Sequence, residues 1–584
     1  MTVRSRIAVV PLLVLTTLRM ANSGETLSPN QVNEYNAEVP KTILELQQFR
    51  QANSIHIKSR GGREGVATLT NLSPASNAWY LLKVASSDGA SESAYHLENP
   101  EPQTRRLLLD AKYPAGLVFT EGKNRYYCEV FGGDALQQAK ASQHIFAPLC
   151  EGRVYLRNAA IGHRTTLEAG TEILRDHVWG GEKLIDLGHG LMGEIHRETG
   201  KIEVMSPAGA RTRASGSNDL PLTARIDSKY ADRVLTSNNL GIELEGPEQT
   251  GMRPGTWYAA GGTPGVYVSI LQPNLIDPAI LQSYKTIVNN LDNVEASALC
   301  YLIAFDLDQF KLGYTLGTEH PRVEWSEHIP AQMRNPKLPG PDGLGNISPL
   351  VKTGLVSPEA APKTVATFTG GFKREHGAFK WGELSLQNHG SHYGFIENGV
   401  VFSKLQPGLA TILVLNDGSV EMKTWADADN GRLAQIRHAR QNGVPVIEFD
   451  EASRSPVPGP SVGRWGPGNW SGSEDRRLRT LRSGAALQTN HGKRFLIYAV
   501  FSDATPSAMA RIFQAYRCDY AMPLDMNALE HTYMALYRRS GSKMSVDHLL
   551  KGMSELDKST AGELIPRFLG YPDNRDFFYL MRRN

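Results

Sequence analysis

YGFIENGVVFSK, residues 393–404, is the stretch that decides the fold of the C-terminal half. Asn398-Gly399 separates two runs of β-forming residues, 393–397 and 400–404, and this dipeptide is a strong signal for a two-residue hairpin turn. Asp417-Gly418 repeats the pattern between the runs 411–415 and 419–425. The sequence therefore predicts a sheet that is built from hairpins.

Strands and helices are both predicted in the rest of this half. Thr505-Pro506 pairs an N-cap residue with a proline at the first helical position, which predicts a helix to about Tyr516. Other helices are predicted at about 432–441, 528–538 and 544–558, and other strands at 444–449, 484–489, 494–501 and 520–524. The fold class predicted from this pattern is α+β, a mixed sheet of hairpins with packed helices, preceded by a mainly β N-terminal domain.

Composition and charge exclude several classes of protein. The 584 residues are 41% hydrophobic and 21% charged, which is typical of a globular chain of several domains and excludes a largely disordered or fibrous protein. The 62 Lys and Arg against 60 Asp and Glu leave a net charge of +2, so we expect no nucleic-acid partner. Beyond the N-terminus no apolar run approaches the roughly 20 residues of a membrane span.

The N-terminus is typical of a secretory signal peptide. Arg4 and Arg6 precede an apolar stretch at 7–18, and small residues follow at Ala21 and Ser23. We predict a signal peptide over 1–23 and therefore a bacterial protein that is exported, either periplasmic or secreted. The alternative is a buried or membrane-lying helix.

Export places the four cysteines in an oxidising compartment. Cys128 and Cys150 are 22 residues apart in a strand-rich region, and a bridge there would stabilise the fold by about 3 kcal/mol. Cys300 and Cys518 lie in apolar strand-like surroundings and are expected to be buried thiols.

The mature chain is predicted to divide into four parts. A mainly β domain with one helix near 40–52 is expected at 24–205, and a linker and connecting segment at 206–263. The main C-terminal domain is expected at 264–540, followed by a C-terminal helix and tail at 541–584. The oligomeric state is left open.

A glycine-rich turn carries the first group of candidate site residues. It begins at Thr369, and Gly370 and Gly371 allow the backbone to come close to a ligand and to present amides to an anion. Glu375 and His376 follow within the same segment as acid or base candidates. A plain Gly-Gly bulge between strands is the structural alternative.

The other candidates lie at the ends of predicted elements. Arg440 and Asn442 end one predicted helix, Arg482 leads a strand, and Asp525 and Asn527 follow a buried strand. Helix capping is the alternative for Asp525 and Asn527, and complementing a helix C-terminus is the alternative for Arg440. Trp470, in the Gly-, Pro- and Ser-rich loop 455–473, offers an aromatic face.

The order of these segments resembles the phosphodiester glycosidase family, whose members include the uncovering enzyme that removes N-acetylglucosamine from mannose 6-phosphate. The resemblance covers roughly 264–540. Residues 369–372 match the NGGF turn with Thr369 in place of asparagine, and 439–442 match ARQN. Arg482 stands at the strand-leading arginine, and 524–525 match the start of LDGGGS, although 526–529 read MNAL.

The resemblance implies an exported hydrolase that acts on a sugar phosphodiester or a related glycoconjugate of the envelope or an exopolysaccharide. It implies Asp525 as the base or nucleophile, with Glu375 and His376 as second choices for acid or base. A carbohydrate or sugar-phosphate ligand would then be bound by Thr369, Gly370, Gly371, Arg440, Asn442, Arg482, Asn527 and Trp470. No cofactor and no metal are expected.

Two alternatives remain open. In the first, the same fold is catalytically inactive and binds glycans or envelope polymers, because the glycines after Asp525 are replaced. In the second, histidines ligate a metal in a hydrolase, with the candidate ligands being His376, His389 and His392, or His189 and His196.

Overall fold

A computed structural model gives the structure of part of the chain. It describes residues 42–58, 64–87, 91–166, 168–170, 201–204, 219–245, 251–321, 347–372, 394–463, 479–541, 543–560 and 562–583. The predicted signal peptide lies outside the described residues, as do the site candidates Glu375, His376 and Trp470. The five histidines of the metal alternative lie outside them as well.

Short helices are scattered along the described chain. The α-helices are α1 (Ile43–Leu46), α2 (Ala135–Ala141), α3 (Pro278–Leu281), α4 (Asn293–Ser297) and α5 (Pro506–Ala515). The 3₁₀ helices are Ser228–Tyr230, Pro273–Leu275, Ala361–Lys363, Asp427–Gln435 and Lys551–Leu556. No helix among the described residues has the length and apolar character that crossing a membrane requires.

Strands make up most of the regular structure. The N-terminal strands are β1 (Gln51–Lys58), β2 (Glu64–Asn71), β3 (Trp79–Ser86), β4 (Glu92–Glu98), β5 (Arg105–Leu108), β6 (Gly116–Glu121), β7 (Asn124–Glu129), β8 (Phe146–Leu149) and β9 (Val154–Arg157). Then follow β10 (Lys201–Val204), β11 (Arg233–Thr236), β12 (Gly251–Met252), β13 (Tyr258–Ala259), β14 (Val266–Leu271), β15 (Cys300–Asp306), β16 (Phe310–Thr315), β17 (Thr364–Thr369), β18 (Phe395–Glu397), β19 (Val400–Ser403), β20 (Ala410–Leu415) and β21 (Val420–Thr424). The last strands are β22 (Ile436–Gln441), β23 (Ile447–Asp450), β24 (Ser455–Pro458), β25 (Thr480–Asn490), β26 (Lys493–Ala504), β27 (Tyr520–Met526), β28 (Met534–Ser540), β29 (Lys543–His548), β30 (Lys558–Thr560), β31 (Glu563–Ile565) and β32 (Phe577–Arg582).

The fold is mostly β, so the predicted α+β class is wrong. The predicted helix at 432–441 is a 3₁₀ segment followed by β22, and the helix predicted at 528–538 contains most of β28. The amphipathic helix predicted at 544–558 is β29 followed by a 3₁₀ turn. β28 lies between β17 and β29 in its sheet, and pairing on both sides outweighs the helix propensity of its Met, Ala and Leu residues.

Both predicted hairpin turns and the helix that begins after Thr505 are where the sequence predicts them. Asn398-Gly399 connects β18 to β19, and Asp417-Gly418 lies in the turn between β20 and β21. Thr505 caps α5, with its Oγ1 accepting a hydrogen bond from Ala508 N at 3.3 Å. The helix predicted near 40–52 is the single turn of α1, and β1 begins at Gln51.

Three layers form the core of the C-terminal half. An eight-stranded sheet has the order β13-β14-β15-β26-β25-β27-β23-β24, and a five-stranded sheet has the order β16-β32-β17-β28-β29. On β26, Phe501 packs against Phe513 of α5 at 5.6 Å between ring centroids, whereas Tyr498 packs against Phe368 of β17 at 4.8 Å. Because neighbouring side chains of a strand alternate between its faces, α5 and the five-stranded sheet cover opposite faces of β26.

A further sheet, β19-β18-β22-β20-β21, holds both predicted hairpins. It packs against the five-stranded sheet through Tyr314 and His438, whose ring centroids are 6.4 Å apart. β32, from the C-terminal end of the chain, pairs with both β16 and β17. The pair Thr369 and Phe577 ends this ladder, so the residues before β32 meet the glycine-rich turn after β17.

The N-terminal region forms its own β core. One sheet has the order β1-β2-β3-β4-β9-β8 and another the order β5-β6-β7. Leu82, Leu97, Leu117 and Phe119 are among the buried residues between them. A disulfide joins Cys128 to Cys150, a pairing that the sequence left open, and Cys300 and Cys518 are buried thiols, as expected.

Candidate functional site

Separate segments of the chain meet at the end of β17. Gly370 N donates to Asp576 O at 2.8 Å, which joins the glycine-rich turn to the residues before β32. β22 brings Arg440 and Asn442 to the same place, and β27 brings Asp525. Three of the predicted site segments therefore lie together, and the C-terminal segment joins them.

Arg440 is a fully buried arginine that holds the turn. Its Nε donates to Asp576 Oδ2 at 2.7 Å, and both side chains have no solvent-exposed surface. Nη1 donates to Gln441 O at 2.6 Å, and Nη2 donates to Phe372 O at 2.6 Å. Tyr314 OH also donates to Asp576 Oδ2, at 2.8 Å. The guanidinium therefore binds protein atoms with all three nitrogens.

Asn442 ties the turn to β27. Its Oδ1 accepts from Phe372 N at 3.1 Å, and its Nδ2 donates to Pro523 O at 2.9 Å and to Leu524 O at 3.2 Å. An amide side chain can accept and donate at once, which suits it to bridging two backbones. Asn442 therefore helps to fix the position of Asp525 relative to the glycine-rich turn.

Both glycines of the turn are required by close packing. A Cβ at Gly370 would lie 2.5 Å from Asp576 Oδ2, and a Cβ at Gly371 would lie 2.8 Å from Asn442 Oδ1. Contacts under 3.0 Å force one partner to move. Among the described residues, the Gly371 amide has no hydrogen-bond partner.

Asp525 has a buried carboxylate, and each of its two oxygens accepts a hydrogen bond. Oδ1 accepts from Met526 N at 2.8 Å, and Oδ2 accepts from Arg575 Nη1 at 2.5 Å. Burial raises the pKa of Asp525 above its ordinary value, although the positive charge of Arg575 acts in the opposite direction. A raised carboxyl pKa is a common property of catalytic acids and bases.

Arg575 binds a second carboxylate, which comes from the N-terminal half of the chain. Its Nη2 donates to Glu168 Oε1 at 2.8 Å, and both side chains are buried. Three residues before Glu168, Thr165 Oγ1 donates to Glu530 Oε2. Burial acts to raise the pKa of Glu530, but the contact with His531 and the hydrogen bond from Thr165 outweigh burial and lower that pKa to about 2.

These groups form a cluster of buried charges, which we call the arginine–carboxylate cluster. Its members are Glu168, Asp525, Glu530, Asp573, Asp576, Arg440, Arg567 and Arg575. Arg567 forms a fork with Asp573 through Nε at 2.7 Å and Nη2 at 3.0 Å. Burying so many charges is costly unless they are paired, and such clusters are frequent at functional sites.

Thr369, Arg482 and Asn527 each bond a residue outside the arginine–carboxylate cluster. Thr369 Oγ1 donates to His531 O at 2.6 Å. Arg482 donates through Nε to Ala504 O at 2.7 Å and through Nη1 to Met526 Sδ at 2.8 Å, and burial lowers its pKa to about 9. Asn527 accepts at Oδ1 from Thr480 Oγ1 at 3.0 Å.

The backbone at Asn527 adopts a conformation that favours glycine. Its φ is +80°, in the left-handed region that favours glycine. Asparagine tolerates this region better than most residues. The turn after Asp525 therefore keeps a glycine-like conformation at this position without glycine.

Sequence reasoning missed the C-terminal contribution to the site. Asp573, Asn574, Arg575 and Asp576 are all buried, and they immediately precede the apolar strand β32. The sequence signal was present in residues 572–577, PDNRDF, where three charged residues occur within four positions before an apolar run. It was overlooked because the tail was expected to lie outside the main domain. Glu168 carries no comparable local signal.

The described residues contain no group of three or more His, Cys, Asp and Glu side chains that could hold a metal ion.

Comparison with known proteins gives distant structural similarities. No known protein family matches the chain, and no curated protein matches it. One similar solved structure is the catalytic domain of zebrafish N-acetylglucosamine-1-phosphodiester alpha-N-acetylglucosaminidase, auto-inhibited by its pro-peptide. It is 9% identical, the match covers 63% of this chain and 96% of that one, and the TM-score is 0.29.

Another similar structure is a protein from Burkholderia pseudomallei that is described as exported. It is 11% identical, the match covers 48% of this chain and 74% of that one, and the TM-score is 0.20. At TM-scores this low, neither similarity assigns a fold or an activity to the chain.

Proposed function

We propose that this chain is an exported hydrolase that cleaves sugar phosphodiesters, or related glycoconjugates of the envelope or an exopolysaccharide, between the anomeric carbon and the phosphate oxygen. The observation that carries the proposal is the meeting of Gly370-Gly371, Arg440, Asn442 and Asp525 at one place. These are the residues on which the resemblance to the phosphodiester glycosidases rests.

The chemistry requires one carboxylate and donors for a phosphate. A phosphate monoester is a good leaving group, so general-acid assistance matters less than in the hydrolysis of ordinary glycosides. We assign Asp525 to activating water or stabilising the positive charge that develops on the sugar. Burial raises the pKa of Asp525 above its ordinary value, which makes its carboxylate a stronger base than an exposed aspartate.

The phosphate donors in this proposal differ from those first expected. Arg440 donates to Asp576, Gln441 and Phe372, and we therefore assign it to positioning the turn. Among the described residues, the Gly371 amide and Arg575 Nε have no partner and are suitable donors for a phosphate oxygen. Glu375 and His376 remain candidates for acid or base, and Trp470 remains a candidate for stacking on a sugar.

The test is the release of sugar from a panel of sugar-1-phosphate diesters. Asp525→Asn keeps the size of the side chain and the acceptor for Met526 N, and it should lower kcat/KM by about a thousandfold or more. The control is Asp308→Asn, an exposed aspartate in the turn after β15, which should act like the wild type. An unchanged rate in Asp525→Asn, with sugar still released, would remove Asp525 from the mechanism.

One observation favours the second candidate, a glycan-binding protein that has lost catalysis. The Asp525 carboxylate is almost completely buried, and each of its oxygens already has a protein partner. If the wild type releases no sugar from any diester, a glycan array should then show binding that persists in Asp525→Asn. A blank array would exclude this candidate.

Export is part of the proposal. The disulfide between Cys128 and Cys150 fits an oxidising compartment, and the sequence at 1–23 fits a signal peptide. N-terminal sequencing of the mature protein should give a first residue just after Ser23, and a start at Met1 would contradict export by this route.

A further inference from the structure

We infer that Glu168 is a positioning residue of the site, which shares the Arg575 guanidinium with Asp525 and so controls the charge of Asp525. The inference rests on the proposed function, because it assigns a role to a residue that acts through Asp525. It makes the chain segment after the N-terminal sheets a part of the site, although that segment is more than 350 residues away from Asp525 in sequence.

The segment that carries Glu168 is tightly docked. His163 N donates to Pro572 O at 2.8 Å, and His163 O accepts from Asn574 N at 3.2 Å. A Cβ at Gly162 would lie 2.6 Å from Asn574 N, so the two backbones are in close contact. Arg164 pairs with Glu319 on the same side. The segment that precedes Glu168 is therefore packed against the residues next to Arg575.

Arg575 is the cation that pairs with Asp525, and it also pairs with Glu168. In the arginine–carboxylate cluster, Arg440 binds Asp576 and Arg567 binds Asp573. Arg575 bonds two carboxylates, through Nη1 to Asp525 and Nη2 to Glu168. The charge of one guanidinium is divided between these two carboxylates, and His320 Nε2 also lies 4.0 Å from Glu168 Oε1. Asp525 is therefore less fully neutralised than a carboxylate in a one-to-one pair.

The other charged groups near Asp525 are fixed in the same surroundings. Asp576 raises the pKa of Asp525, whereas His531 and Arg575 lower it. Glu530 contacts His531, with Oε1 and Nε2 3.4 Å apart. Glu168 differs from these groups in that it competes directly for the guanidinium that Asp525 uses.

Removing the charge of Glu168 should lower the pKa of Asp525. Glu168→Gln keeps an oxygen that can accept from Arg575 Nη2 but leaves the full positive charge to Asp525. Charges separated by the width of a guanidinium interact strongly enough, at the effective dielectric constant of a protein site, for a shift of about one pH unit. Because the base or nucleophile must be ionised, the acidic limb of the kcat/KM profile should move to lower pH by about one unit.

The experiment compares wild type, Glu168→Gln and Glu319→Gln over pH 4 to 8. Glu319→Gln removes the ion pair with Arg164 without changing a contact of Arg575. The acidic limb of its kcat/KM profile should lie at the same pH as that of the wild type. Glu168→Asp, which keeps the charge, should also keep the wild-type limb. If Glu168→Gln does not fold, Glu168→Ser, which leaves room for water, carries the same expectation.

A titration that does not depend on activity separates this inference from the proposed function. The ¹³C signal of the Asp525 carboxyl carbon, assigned by its loss in Asp525→Asn, should titrate about one unit lower in Glu168→Gln. An unchanged titration overturns the inference even if the protein is active, and a shifted one supports it even if no diester is cleaved. A faster Glu168→Gln enzyme with an unmoved acidic limb also overturns it, because Glu168 would then only cover the site.

Discussion

Replacing Arg440 by methionine should destabilise the C-terminal half by about 3–5 kcal/mol. The guanidinium makes three hydrogen bonds of 2.6–2.7 Å, to Asp576, Gln441 and Phe372. Neither Arg440 nor Asp576 exposes any side-chain surface, so methionine would leave a buried carboxylate that keeps only the hydrogen bond from Tyr314 at Oδ2 among the described residues. Loss of one partner of a buried pair costs far more than loss of an exposed pair.

The assay is hydrogen exchange, followed by mass spectrometry on peptides that cover 436–442 and 577–582. The control is Arg432→Met, because Arg432 pairs with Glu421 at 2.9 Å but both side chains are one-third exposed. The control should lose less than about 1 kcal/mol of protection. The double variant Arg440→Met/Asp576→Asn should recover part of the loss, since the two residues act as one unit. A loss under about 1 kcal/mol in Arg440→Met would refute the reasoning.

Two further predictions concern the turn and the interior. Gly371→Ala places a Cβ against Asn442 and should lower the midpoint temperature of thermal unfolding. The control is Gly418→Ala, because Gly418 has open space around it and its replacement should cost only the strain of a positive φ. An equal fall in the midpoint temperature of the two variants would contradict the packing argument. Burial raises the pKa of Glu397 from 4.5 to about 8, so the stability that its protonated form contributes is complete below pH 4.5 and is lost as the pH rises through 8. The free energy of unfolding of Glu397→Gln should therefore depend less on pH between pH 5 and 8 than that of the wild type. Chemical denaturation at each pH measures this dependence. Parallel curves for the two proteins would show that Glu397 does not titrate in this range.

Local signals in the sequence were sufficient for turns and for one helix. Asn398-Gly399 and Asp417-Gly418 specify their hairpins because few residues other than Gly, Asn and Asp adopt the backbone that such turns need. Asn398 indeed has a φ of +49°. The Thr505-Pro506 cap likewise located the start of α5, because its hydrogen bond lies within one turn of the chain.

Strand pairing over long distances was not encoded locally. Residues 436–441 and 534–540 have sequences that suit a helix, and both are strands because each pairs with partners far away in the chain. β32 pairs with β16 and β17, which lie more than 200 residues earlier in the chain. No short sequence pattern predicts such a contact.

The candidate site was predicted in part for the same reason. Gly370, Arg440, Asn442 and Asp525 were found through motifs, and the structure brings them together. The partners that satisfy them, Asp576 and Arg575, come from a segment that was assigned to the tail. Glu168 could not be found at all, because a single glutamate after a β domain has many ordinary explanations on the surface.

The most direct test of the proposed reaction is hydrolysis of a sugar-1-phosphate diester in water enriched in ¹⁸O, followed by mass spectrometry of both products. Cleavage between the anomeric carbon and the phosphate oxygen places the label on the sugar and none on the phosphate monoester. We predict this result for the wild type, at a rate that Asp525→Asn abolishes. Label on the phosphate would contradict the account, because water would then have attacked phosphorus.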